Sequence, residues 1–147
     1  MIINNKIFVY GTLMDSIIKD ALPKIDLHIR KRKNGKINAR LFDLGEYPGA
    51  KPTTIKSKEV FGKIYEVDPE HFNSVLITLD DYEEYNPNKK QESLYIRKIT
   101  PVITEDGVLS QAWVYWYNKP INSRNEIEAG DYKKYLKRNK INKDVLK

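Results

Sequence analysis

The sequence predicts an α+β fold: a small, mostly antiparallel β-barrel or curled sheet of about five or six strands, with two or three helices. Three observations lead there. Short runs rich in β-branched and aromatic residues alternate like half-buried strands, as in Val60-Phe61-Gly62-Lys63-Ile64-Tyr65-Glu66-Val67. The connections between these runs are short, which suits antiparallel neighbours. One segment, residues 68–85, has helical periodicity instead.

Taken in order, Ile7-Phe8-Val9-Tyr10 reads as a strand that stops in a turn at Gly11. Asp15 is placed to cap a short helix through Leu22, which Pro23 would end. Asn34-Gly35, the dipeptide favoured in two-residue turns, is expected to join a strand over residues 27–32 to one over 37–44 as a hairpin. Residues 44–50, with two glycines and a proline, read as a loop. The strand over residues 60–67 leads into the helix at 68. Residues 95–103 and 111–117 follow as strands around a turn at Asp106-Gly107, and residues 131–139 as a closing helix.

The chain of 147 residues is the size of one domain, residues 1–147, and can bury a real core. With 40% hydrophobic and 31% charged residues it suits a soluble globular protein. No apolar run approaches the roughly 20 residues that span a bilayer, and the first six residues are polar too early for a secretory signal. The absence of cysteine excludes disulfides and thiolate metal sites. These features point to the cytoplasm and to no membrane partner. A net charge of +6 fits a nucleic-acid binder or a surface solubilised by lysine. The basic residues are scattered. Their densest runs, Arg30–Lys33 with Lys36 and residues 133–143, lack the interleaved aromatics of a single-strand binder, so no nucleic-acid partner is expected. Oligomeric state is left open.

The segment from Asp68 to Tyr85 is the most informative. Asp68-Pro69-Glu70 combines an N-cap, a first-turn proline and an acid that complements the helix dipole. Phe72, Val75, Leu76 and Leu79 form the i, i+3, i+4, i+7 stripe of a core-facing helix. With Phe72 at zero, Glu83 falls at about 20°, Asp80 at about 80°, Glu84 at about 120° and Asp81 at about 180°. Of these four acids, only Glu83 is expected to point inward. A buried carboxylate raises its pKa or finds partners, and a Glu tuned toward neutrality suits acid/base chemistry. Periodicity alone leaves a second reading open, in which the helix ends by residue 82 and Glu83 is solvated.

Several segments together resemble the γ-glutamylcyclotransferase-like superfamily, most closely γ-glutamylamine cyclotransferase. Phe8-Val9-Tyr10-Gly11-Thr12-Leu13 is similar to the family's strand and turn; Ala39-Arg40-Leu41-Phe42-Asp43-Leu44-Gly45 with Tyr47-Pro48 to its second strand and Gly-x-Tyr-Pro loop. Residues 60–67 resemble the strand before the catalytic helix, and Leu79-Asp80-Asp81-Tyr82-Glu83 the helix end carrying the acid/base glutamate. Ser93-Leu94-Tyr95-Ile96-Arg97, Ala112-Trp113-Val114-Tyr115 and Ile127-Glu128-Ala129-Gly130-Asp131-Tyr132 follow in family order. One departure is Glu84, where many members have glycine. Either the backbone there is ordinary, or Glu84 is a second acid at a pocket rim.

The resemblance implies cyclisation of a small-molecule γ-glutamyl substrate to 5-oxoproline, with release of an amine or amino acid. Glu83 would be base and then acid. Tyr10, Gly11, Thr12 and Leu13 would cradle the γ-glutamyl group, mainly through backbone amides, and Tyr115 would form a pocket wall or a core contact. Arg97 is expected to steady an acidic partner. His28 and His71 lie far apart in sequence with no second ligand at metal spacing, so no metal and no cofactor are expected. The rival reading is a non-catalytic domain that binds an amino-acid-like ligand in the same pocket. The leaving group stays open: an ε-lysyl amine, an amino acid, a polyamine or part of an antibiotic.

Overall fold

The computed structural model describes residues 4–11 and 22–146. Its strands are β1 (Lys6–Val9), β2 (Ile29–Asn38), β3 (Arg40–Asp43), β4 (Pro48–Lys51), β5 (Glu59–Val67), β6 (Tyr95–Thr104) and β7 (Leu109–Tyr117). The helices are α1 (Pro23–Asp26), α2 (Phe72–Tyr82) and α3 (Tyr132–Leu146). Five strands close into a barrel in the order β1-β5-β2-β6-β7, and β3 and β4 form a separate two-stranded sheet. Closure comes from a parallel pairing of β1 with β7, Ile7 opposite Trp113 and Phe8 opposite Val114. The other barrel pairings are antiparallel, so the sheet is mixed rather than uniformly antiparallel. Alternate residues point inward and fill the barrel: Phe8, Val60, Ile64, Val102, Ala112 and Val114 are all buried.

The expected hairpin at Asn34-Gly35 does not form. Both residues lie inside one long strand, β2, opposite Lys63 and Gly62 of β5. Gly35 also pairs with Thr104 of β6. A Cβ on Gly35 would sit 2.9 Å from Ile64 Cδ1 and 3.1 Å from the Ile103 carbonyl oxygen. The glycine therefore answers a close approach of strands across the barrel, not a turn. The basic run is correspondingly strung along a strand, where carboxylates face it: Arg30 to Asp68 at 3.1 Å, Lys36 to Glu59 at 2.8 Å, Lys31 to Glu66 and Lys33 to Asp106 at 3.9 Å, and Arg32 to Asp26.

Two smaller expectations also change. The helix proposed from Asp15 lies, but for Leu22, outside the described residues; Pro23 opens the one-turn α1, where its missing N–H costs nothing. The segment read as a loop is half strand: β3 and β4 pair with Asp43 opposite Pro48, and residues 44–47 make the turn. Leu44 N–H donates to the Tyr47 carbonyl at 3.0 Å, and Gly45 takes φ 106°, a value that favours glycine. The Asp106-Gly107 turn between β6 and β7 forms as expected, with Gly107 at φ 80°.

Helix α2 follows its sequence signals. Asp68 accepts the Glu70 N–H at 3.1 Å, residues 69–71 form a 3₁₀ turn, and Phe72, Val75, Leu76 and Leu79 are buried. Among the described residues no helix is long and apolar enough to cross a membrane.

Candidate active site

A cavity of about 310 Å³ opens where four pieces of chain meet: the end of β1 (Phe8 to Gly11), the β3–β4 turn (Glu46 to Pro48), the end of α2 (Tyr82 to Glu84), and a wall of Leu94, Tyr95 and Tyr115. Glu83 caps α2. Its N–H still donates to the Leu79 carbonyl at 2.8 Å, so its side chain keeps the direction of the apolar stripe and lines the cavity. Burial pushes its carboxyl from 4.5 up to about 7, with desolvation as the cause. The helix does end at Tyr82, as the second sequence reading had it, but the carboxyl lines the cavity, as the first did.

Three of the tyrosines around it have their hydroxyls committed. Tyr10 donates to the Tyr115 carbonyl at 2.5 Å and accepts the Ala50 N–H at 3.1 Å. Tyr95 donates to the Pro48 carbonyl at 2.6 Å, and Tyr115 to Asp80 Oδ1 at 2.6 Å. Burial, reinforced by nearby Glu83, holds the three phenols far above their ordinary pKa, so they stay neutral. They build the walls around Glu83. Gly11 lies against the β3–β4 hairpin, where a Cβ would come within 2.7 Å of Pro48 Cγ. Glycine is what lets the end of β1 approach the hairpin and close the cavity. Thr12 and Leu13, the rest of the expected cradle, lie outside the described residues.

Two corrections concern the acids near Glu83. Asp80 is not on a solvated flank; it is 8% exposed. Arg97 Nε donates to its Oδ1 at 2.8 Å beside the Tyr115 hydroxyl, and the guanidinium lies 4.6 Å over the Trp113 ring. The acidic partner expected for Arg97 is therefore Asp80. The wheel angle was sound, but the buried face of α2 is wide enough to include it. Of the two alternatives raised for Glu84, the ordinary backbone is not found and the acid at the rim is. Its backbone is left-handed (φ 53°), the conformation that glycine holds without cost, and its exposed side chain stands at the cavity rim. The loop after it does not line this cavity; Asn86, Pro87 and Lys89 border a shallower groove alongside.

The two histidines, far apart in sequence, meet in the fold. His28 and His71 stack with ring centroids 4.0 Å apart, because the start of β2 and the start of α2 are neighbours. Asp68 lies with them, its Oδ2 3.0 Å from His71 Nδ1.

Comparison with known proteins agrees with this fold. The family model described as gamma-glutamyl cyclotransferase, AIG2-like, matches residues 7–134. The chain is 32% identical over 95 residues to the gamma-glutamylcyclotransferase family protein YtfP of Escherichia coli K12, covering 65% of this chain and 68% of that protein. An AIG2-like protein of Mus musculus has a similar structure (TM-score 0.63, 26% identity, 88% of each chain). So does YkqA of Bacillus subtilis (TM-score 0.69, 22% identity), over 94% of this chain; the chain spans 43% of YkqA.

Proposed function

Since the chain belongs to the gamma-glutamyl cyclotransferase, AIG2-like family, we propose that it cyclises γ-glutamyl amines or γ-glutamyl amino acids to 5-oxoproline, with Glu83 as the acid/base. The observation that carries this reading is a carboxyl whose pKa is raised to about 7 inside a cavity of substrate size.

The chemistry needs few protein groups. The ionised Glu83 takes a proton from the substrate's α-ammonium. The freed amine attacks the γ-carbonyl, forming the new α-N to γ-C bond. The amide C–N bond then breaks, the proton held by Glu83 goes to the departing amine, and the second proton that the ring nitrogen sheds in becoming an amide also passes to that amine, which leaves as an ammonium. No water is consumed, and Glu83 returns to its starting state. A group with a pKa near the working pH gives and takes the proton with least loss. The substrate supplies the nucleophile, so no serine, cysteine or cofactor is called for. The walls hold amine and carbonyl in contact, which is the larger part of the rate in an intramolecular reaction. Gly11, with Thr12 and Leu13 in the cradle that the family resemblance implies, would present N–H groups to the carbonyl oxygen as it gains charge. A compact cytoplasmic enzyme for a small-molecule substrate is the setting that fits.

The test is release of 5-oxoproline from a panel of γ-glutamyl amines and γ-glutamyl amino acids, with Glu83→Gln as the paired control. Turnover by the wild type and a loss of at least about 10²-fold in the variant support the reading. Equal activity in both removes Glu83 from the mechanism. If neither turns over, while both bind the same ligands, the chain is a binding domain built on the enzyme's pocket.

A further inference from the structure

We infer that His28, Asp68 and His71 form a binding site for one divalent transition-metal ion of the Zn²⁺ class, at the start of α2. The chain has only two histidines and no cysteine. The fold brings both imidazoles together, stacked at 4.0 Å with 10° between their planes, and sets a carboxylate beside them. One potential ligand atom from each residue lies within 4.8 Å of the other two.

The backbone beneath the three is fixed. Asp68 N–H donates to the His28 carbonyl at 2.8 Å, and Ile29 pairs with Val67 in the barrel. Asp68 is itself the N-cap residue that accepts the Glu70 N–H. An ion that bonds nitrogen and oxygen at about 2.0–2.1 Å draws its ligands to roughly 3–3.5 Å apart. The pair of His71 Nδ1 and Asp68 Oδ2, at 3.0 Å, already has that spacing, so the ion takes the place of the proton between them. His28 joins by tilting its partly exposed ring out of the stack. Two imidazoles and one carboxylate, with water completing the shell, suit Zn²⁺, Ni²⁺ or Cu²⁺; Mg²⁺ and Ca²⁺ prefer all-oxygen sites. Arg30 opposes the ion, since its guanidinium lies 3.1 Å from Asp68 Oδ1, but it is mostly exposed and free to turn away.

The role would be structural. The site ties β2 to one end of α2, while Glu83 caps the other end. The 11 residues of the helix put roughly 17 Å between the two ends at about 1.5 Å per residue. The inference therefore stands or falls independently of the proposed reaction.

The test is calorimetric titration of tag-free full-length protein with Zn²⁺, repeated with Mg²⁺, plus thermal melting with Zn²⁺ and with a chelator. One Zn²⁺ per chain is expected, no Mg²⁺ binding, and a melting temperature raised by Zn²⁺, since an ion that binds only the folded state stabilises it. His28→Gln and His71→Gln should each weaken Zn²⁺ binding by about 10–100-fold or more. Arg30→Ala should tighten it. Both glutamine variants lie at partly exposed positions, and equal urea midpoints for metal-free variants and wild type check their folding. Absence of one-to-one Zn²⁺ binding, or binding that survives both histidine substitutions, overturns the site.

Discussion

The Glu83 carboxyl is held out of water, and that sets the sign of its effect on stability. Its folded pKa of about 7 lies above the ordinary 4.5. Between those values the folded chain holds a proton that the unfolded chain has lost. Unfolding free energy therefore falls as pH rises from about 4.5 to about 7, by at most roughly 3 kcal/mol, and the deficit persists above pH 7. Glu83→Gln removes the titration. Urea unfolding at pH 5 and pH 8 should show the wild type losing more stability than the variant over that interval, and parallel losses would mean the carboxyl is solvated. The activity of the wild type should rise with pH to a limb near 7, because the base must be ionised to begin. The neighbouring residue tests the backbone. Glu84 sits at φ 53°, where a side chain costs about 1 kcal/mol or more that glycine avoids. Part of that gain is returned as glycine's extra freedom in the unfolded chain. Glu84→Gly should be more stable than Glu84→Ala by about 0.5–1 kcal/mol in urea melts. A glycine variant weaker than the alanine variant would mean the strain is not there. Glu83 could be read from the sequence because it continues a stripe begun by Phe72. The left-handed turn at Glu84 could be suspected only from its departure from the glycine of the resembling family.

At the scale of the element, the end of α2 is held by an interaction that periodicity does not reveal. A helical wheel assigns angles, but the width of the buried face depends on what packs against it. Here β6 and β7 reach round to Asp80 with Arg97 and Tyr115, and Asp80 goes in with its counter-charge. Arg97, two residues after Tyr95 on a strand, was the signal that such an acid existed; which of the four it was depended on the fold. The same cluster joins the cavity wall to the helix, because Tyr115 donates its hydroxyl to Asp80 and its carbonyl accepts the Tyr10 hydroxyl. Removing one partner of a buried ion pair leaves the other charge uncompensated, so Asp80→Ala should cost about 3–5 kcal/mol. Tyr115→Phe deletes a hydrogen bond to a carboxylate that keeps Arg97, and should cost only about 1.5–3 kcal/mol. If the two variants unfold at the same urea concentration, the Arg97 pairing contributes nothing beyond the tyrosine bond.

For the whole molecule, alternation located most strands but not their order. Closure of β1 on β7 joins residues near opposite ends of the chain, and no local pattern encodes that pairing. The Asn34-Gly35 misreading has the same origin: a turn preference is a local rule, overruled by a barrel that needs an uninterrupted β2. The need shows at one place. Gly35 and Gly62 are direct partners across β2 and β5, where the curled sheet brings further strands close. A Cβ on Gly35 would meet the tip of the Ile64 side chain at 2.9 Å, which can turn aside, and the Ile103 carbonyl at 3.1 Å, which need yield only slightly. A Cβ on Gly62 would drive into the Val9 carbonyl oxygen itself, with Phe8 Cζ at 2.8 Å behind it. That carbonyl belongs to β1, whose pairing with β7 closes the barrel, and just beyond it the chain lines the cavity. A close-packed interior cannot absorb a backbone shift at such a junction. Gly35→Ala should therefore cost about 1–3 kcal/mol, the usual range for overpacking, and leave a folded protein. Gly62→Ala should cost more than about 4 kcal/mol, or abolish cooperative folding, because two strands must separate to admit one methyl group. Thermal melts of the two variants decide it: comparable midpoints would show that the junction is pliable and that barrel closure does not depend on the bare backbone at Gly62.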